Sequence, residues 1–353
     1  TLLGAVAMLH GGRGETGIAL LAALALFAVS VSEFRTPVSR ELLAALVTAA
    51  GVVEAVYVLW QAVATDPLLP TGDLPGKWRT FGTFGNPNWT GEFLAVAVLV
   101  TLGRLTTRFS RAGAIALALM IAALGATLAR GAWLACAIGC AALLFARRQR
   151  PAPAVCLTLA GGVAAAGALV AAIAARPGTF EYLANLVSVR GRVWMWAVSL
   201  RMLAEAPWGV GLGDFGRHFP EMQGRMFHTG WGQAFLRNVS FTPQAHNDYL
   251  QFAVEAGVVA LPVMAALVWM ILRRGRALAP DGAALGMWAA VVALAVDALF
   301  ASPFYLPGSL AMAALLLGAS EAAVAAGGRP LRLPARLAAG AAGLAFCAAA
   351  LTW

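Results

Sequence analysis

The chain has 353 residues, of which 61% are hydrophobic and 12% charged. Soluble domains carry about 25% charged residues, so this composition excludes a soluble globular enzyme and points to an all-α polytopic membrane protein. The net charge of +9 rests on 25 basic residues, only one of them lysine, against 16 acids, and these fall in short clusters between apolar spans, so no continuous basic stripe for nucleic acid exists.

In chain order, apolar spans are expected near residues 1–9, 16–32, 41–63, 89–103, 112–128, 132–146, 154–175, 249–272, 283–301, 309–326 and 337–353, about eleven helices. Residues 1–9 read as the tail of a helix, with no signal-peptide pattern. The clusters Arg35/Arg40, Arg104/Arg108/Arg111, Arg147/Arg148/Arg150, Arg273/Arg274/Arg276 and Arg329/Arg332/Arg336 occupy every second loop. Basic residues favour the cytoplasmic side, so the loops at 10–15, 64–88, 129–131, 176–248 and 302–308 are expected outside. Three parts follow: N-terminal transmembrane helices (1–175), an outer cap loop (176–248) and C-terminal transmembrane helices (249–353). Cys136, Cys140, Cys156 and Cys347 all lie in apolar spans and read as small hydrophobes, with no metal or disulfide framework.

A loop as long as 176–248 is functional or disordered, and its composition favours order. It carries Trp194, Trp196, Trp208 and Trp231, with Phe215, Phe219, Phe227, Phe235 and Phe241, and the turn Gly209-Val210-Gly211-Leu212-Gly213. Residues 191–206 read as one helix lying half-immersed at the membrane surface and ended by Pro207.

Four stretches carry candidate chemistry, each with a plainer reading beside it. In Thr80-Phe81-Gly82-Thr83-Phe84-Gly85-Asn86-Pro87-Asn88-Trp89, Asn88 is placed to cap the next helix; alternatively the glycines, Asn86 and Asn88 bring amides to an anionic or sugar ligand. Arg130, in an outer turn, either snorkels to headgroups or binds a diphosphate through two parallel hydrogen bonds. Arg190 and Arg192 allow the same two readings. His246 hydrogen-bonds within the cap, caps the next helix or serves as a general base, since imidazole titrates near neutrality. Asn247 adjoins it, Asp248 is placed to orient the imidazole, and Glu255 either is buried in a pair or lines the cavity. An ionisable cluster at a bilayer boundary is a functional candidate by default.

Phe81-Gly82-Thr83-Phe84-Gly85-Asn86-Pro87-Asn88, Ala129-Arg130-Gly131-Ala132-Trp133-Leu134, Gly191-Arg192-Val193-Trp194-Met195-Trp196 leading to Pro207-Trp208-Gly209-Val210-Gly211-Leu212-Gly213-Asp214-Phe215, and His246-Asn247-Asp248-Tyr249-Leu250-Gln251 with Glu255-Ala256-Gly257 resemble, in this order, the O-antigen ligase and polymerase superfamily of bacterial membrane glycosyltransferases. The resemblance spans about residues 80–262, and departs where Ala129 replaces a serine frequent in the family and where the N-terminus is short of a full helix set. It implies a GT-C-like fold in the bacterial inner membrane with a periplasmic site. It also implies transfer from an undecaprenyl-diphosphate-linked glycan without metal or nucleotide sugar, so no cofactor. The outer loops hold no Asp-x-Asp pair, and arginines are the groups left to neutralise the leaving diphosphate.

On this reading His246 is the base, Arg130 and Arg192 clamp the diphosphate, Arg190 assists, and Asn86, Asn88, Asn247, Asp248 and Glu255 support. The acceptor is lipid A core for a ligase, favoured by a compact cap carrying Arg217, Arg225 and Arg237. The alternatives are an O-antigen or exopolysaccharide polymerase, or a protein O-oligosaccharyltransferase. Outside enzymes, a polyprenyl-lipid flippase would need ionisable residues along its whole path, whereas Glu54 and Asp297 are the clear core acids here.

Overall fold

A bilayer core offers no water to backbone N–H and C=O groups, so an apolar chain within it must close its hydrogen bonds internally. The computed structural model describes residues 13–64, 80–147, 152–175, 187–239 and 242–326, and every regular element among them is helical. The elements are α1 (Arg13–Glu33), α2 (Pro37–Val63), α3 (Pro87–Thr107), α4 (Arg111–Ala126), α5 (Arg130–Arg147) and α6 (Pro153–Ala174). The cap follows with α7 (Val187–Glu205), α8 (Phe215–Phe227), the single turn α9 (Gly230–Gln233) and α10 (Asp248–Ala256). The chain then continues through α11 (Ala260–Arg274), α12 (Gly282–Asp297) and α13 (Pro307–Ala326).

Among the described residues, α1 from Thr16, α2, α3, α5, α6 and α13 are long and apolar enough to cross a membrane, and α4 and α12 are shorter apolar helices. The protein is a membrane protein. These helices match the expected spans to within a few residues. The spans near 1–9 and 337–353, Cys347, and Arg148, Arg150, Arg329, Arg332 and Arg336 lie outside the described residues.

Helix α3 is central, packed by α2, α4, α5 and α12, and its run from Leu94 to Leu102 is buried throughout. Its contact with α12 is backbone-close: a Cβ at Gly286 would stand 2.8 Å from the Leu99 carbonyl oxygen. Without a hydrophobic drive between helices in lipid, such small residues permit the packing that holds them together. Outer layers place α13 on α1 and α4 on α6.

One end of this bundle is laced by ion pairs. Arg40 meets Asp281 at 2.7 Å, Arg104 meets Glu41 at 2.6 Å and Arg274 meets Glu321 at 3.1 Å. Helix α12 therefore runs from Asp281 at the arginine-rich end to Asp297 at the opposite end.

The expected single span 249–272 is corrected: it is two helices, α10 and α11, broken at Gly257. Gly257 has φ 87 and ψ 172, a region open essentially to glycine alone. The break is held by the segment after α7. Val210 N–H donates to the Val254 carbonyl (2.9 Å), Gly211 N–H to that of Glu255 (3.0 Å), and Val258 N–H to that of Pro207 (2.9 Å). Helix α10 consequently belongs to the cap, where Val254 and Leu250 pack with Trp194, Val198, Phe215 and Phe219. The packed cap thus continues past the expected boundary at 248.

Trp194 lies at the centre of the cap. It stacks on Phe227 (4.7 Å between centroids) and Phe235 (5.2 Å), and its indole N–H donates to Gln223 Oε1 at 3.0 Å. The helix expected to lie half-immersed at the membrane surface is held to the rest of the cap through Trp194.

Candidate active site

The site forms at the end of the bundle opposite the ion pairs, where the cap meets the ends of α5 and α12. His246 precedes α10 and is half-buried, with a positive φ of 50 that non-glycine residues seldom adopt. Burial, and then the neighbouring Arg192 guanidinium, lower its pKa below the ordinary 6.5. Arg192, near the start of α7, acts on Asp297 as well as on His246. The structure thus brings together the histidine and the arginine that stand 54 positions apart in the chain.

Arg130 is exposed at the first position of α5. The next residue, Gly131, lies against Asp297: a Cβ added there would be 3.0 Å from Asp297 Oδ1. Asp297 therefore faces the positive end of α5 while acting on Arg192, and stands between the two arginine-bearing helices. Arg190 is used differently from expectation. It donates to the Ala234 carbonyl at 2.9 Å and lies 5.4 Å from the Phe235 ring centroid, which engages it in holding α7 against the 230–235 segment.

The loop before α3 also departs from expectation. The cap of α3 is Asn86, whose side chain accepts from Asn88 N–H at 2.9 Å, with Pro87 following it. Asn88 lies inside the helix. Pro is favoured at the first helical position because its missing N–H would be unpaired there anyway, so the cap must precede Pro87. The loop's amides are already engaged. Those of Phe81 and Gly82 donate to Gln61 Oε1 and that of Thr83 to Glu54 Oε1 at 2.9 Å, so these three are committed to α2 rather than to a ligand.

Around His246, Asn247 caps α10 by accepting from Leu250 N–H at 3.0 Å. Asp248 does not orient the imidazole: its Oδ2 accepts from Phe304 N–H at 2.8 Å. Its Oδ1 and the nearby Ser302 hydroxyl are buried without hydrogen-bond partners among the described residues. Glu255, 2% exposed, is paired, accepting from Gly213 N–H (2.9 Å), Tyr305 O–H (2.8 Å) and Gln251 Nε2–H (3.1 Å).

Three participants were not singled out from the sequence. Glu92 is buried in α3, within electrostatic reach of Asp297 and Asp248 and beside Ser309; an acid inside an apolar span is its signal. Gln251 was readable from its i, i+4 spacing to Glu255. Tyr305 carries no local signal.

A bundle of apolar helices carrying at one end a capped site with arginine and histidine defines a polytopic membrane protein. Residues 115–265 match the family model described as O-Antigen ligase, the family that the sequence motifs resemble. The matched stretch contains Arg130, Arg192 and His246. No curated protein matches the chain.

Proposed function

We propose that the protein is an O-antigen ligase-type glycosyltransferase. In this reading it moves a glycan from undecaprenyl diphosphate to lipid A core at the periplasmic face of the inner membrane, inverting the anomeric carbon without a metal. The observation that carries the proposal is a half-buried His246 within the electrostatic reach of Arg192, on a segment joined to the end of α12 by the Asp248 N–H to Ala298 carbonyl bond. A base and a bidentate cation there supply what glycan transfer from a diphosphate requires.

The acceptor hydroxyl attacks C1 of the donor sugar and gives its proton to His246. The C1–oxygen bond to the diphosphate breaks, and its electron pair leaves with the phosphate toward Arg130 and Arg192. Because burial and Arg192 lower the pKa of His246, the imidazole is neutral at pH 7 and ready to accept. A diphosphate bound at Arg192 offsets that positive field, so the imidazole becomes more basic once the donor is in place.

An open groove of about 540 Å³ lies along α11, lined by Leu261, Val268, Trp269 and Leu272 together with Tyr249 and Leu299. Its apolar walls suit the polyprenyl tail. Arg217 and Arg237 are exposed on the cap and suit a phosphorylated acceptor, whereas Arg225 is paired with Glu205 at 2.8 Å.

The test is purified protein in liposomes with undecaprenyl-diphosphate glycan, with and without lipid A core. Core-linked glycan is the expected product, and His246→Ala should abolish it while leaving donor binding intact. Chain growth without core would make the protein a polymerase; transbilayer movement of donor without transfer would make it a flippase.

A further inference from the structure

We infer that Gln251, Glu255 and Tyr305 form a positioning chain that holds His246 in place as the base, so that the turn at 302–306 governs turnover separately from donor binding. This inference rests on the transferase reading above.

It starts from the backbone of His246. A left-handed conformation is strained for a residue other than glycine, and such strain persists only where the surroundings over-determine it. On one side of His246 the buried Ala245 N–H donates to Gln251 Oε1 at 2.8 Å. On the other, Asp248 N–H donates to the Ala298 carbonyl at 2.8 Å.

The Gln251 contact is itself set by further side chains. Gln251 Nε2–H donates to Glu255 Oε1, and Glu255 Oε2 accepts from the Tyr305 hydroxyl. Gln251 and Glu255 are 1% and 2% exposed, so water cannot replace a lost partner and each break carries its full penalty. The same turn reaches the other side of His246, through Phe304 N–H on Asp248 Oδ2. One outer turn therefore clamps the chain immediately before and after the base. The arginines are carried by α5 and α7, outside this chain of bonds, so loosening it displaces the base and spares the clamp on the diphosphate.

The test compares Gln251→Leu, Tyr305→Phe and the double variant with wild type. Gln251→Leu should lower kcat on the order of tenfold to a hundredfold, as misplacement of a base does, with KM for the donor within about twofold of wild type. Tyr305→Phe should lower kcat less, and the double variant no further than Gln251→Leu, because Tyr305 acts through Gln251. Amide exchange at Ala245 should accelerate in both single variants. Unchanged kcat, equal losses in donor binding and turnover, additive effects or unchanged exchange at Ala245 would each overturn the inference. Tyr305→Phe removes only a hydroxyl and carries the test alone if Gln251→Leu does not fold. A wild type that transfers nothing to any acceptor refutes the transferase reading, and the exchange rates then decide the clamp on their own.

Discussion

As the proposed base, His246 can accept a proton only while neutral, so its lowered pKa defines the expected pH window. Activity governed by kcat/KM should be lost as pH falls through a value below 6.5, since in the free enzyme no diphosphate offsets the Arg192 charge. In kcat the acidic limb should move upward, because the bound diphosphate offsets Arg192. Steady-state profiles of both quantities check this; coincident limbs would show that the diphosphate does not meet Arg192. Replacing Arg192 by lysine keeps the charge and loses the planar fork, so Arg192→Lys should recover little of the activity lost in Arg192→Ala. Equal activity of Arg192→Lys and wild type would rule out bidentate binding. Both residues were legible because a histidine or arginine at an apolar boundary needs a reason. The occupation of Arg190 by Ala234 and of Asp248 by Phe304 was not, since both depend on backbone groups brought in from other segments.

At the scale of elements, most helices were legible from apolar length, and the break at Gly257 was not. The run from 249 to 272 is apolar apart from Gln251 and Glu255, and what stops the helix is the docking of residues 207–211 from the far side of the cap. The Asn86 cap was readable from the following proline, a local rule that outranks the position of Asn88. Gly257→Ala should destabilise the protein by about 1–3 kcal/mol from its glycine-only backbone, and further because its Cβ would stand 2.7 Å from the Trp208 carbonyl carbon. Gly85→Ala is the control, with a φ of 70 but open space around it. Thermal unfolding in detergent should show a larger loss for Gly257→Ala. Equal losses would mean that the 207–211 segment does not hold the break.

Across the whole molecule, charge is divided between the two ends. The arginine clusters of α2, α3 and α11 are partly neutralised by Asp281, Glu41 and Glu321, whereas the cap end combines Arg130 and Arg192 with the buried acids Glu92, Asp248, Glu255 and Asp297. Arginine on the disfavoured side of a membrane requires a compensating anion, and the donor diphosphate supplies one there if the cap faces the periplasm. Arg237 on the cap and Arg108 at the opposite end are both exposed and report on the two sides. A cysteine replacing Arg237 should react with a membrane-impermeant maleimide in intact cells with a permeabilised outer membrane, and one replacing Arg108 only after the inner membrane is broken. The reverse pattern would put the site in the cytoplasm, where lipid A core in the outer leaflet is out of reach, and would remove the ligase reading together with the orientation.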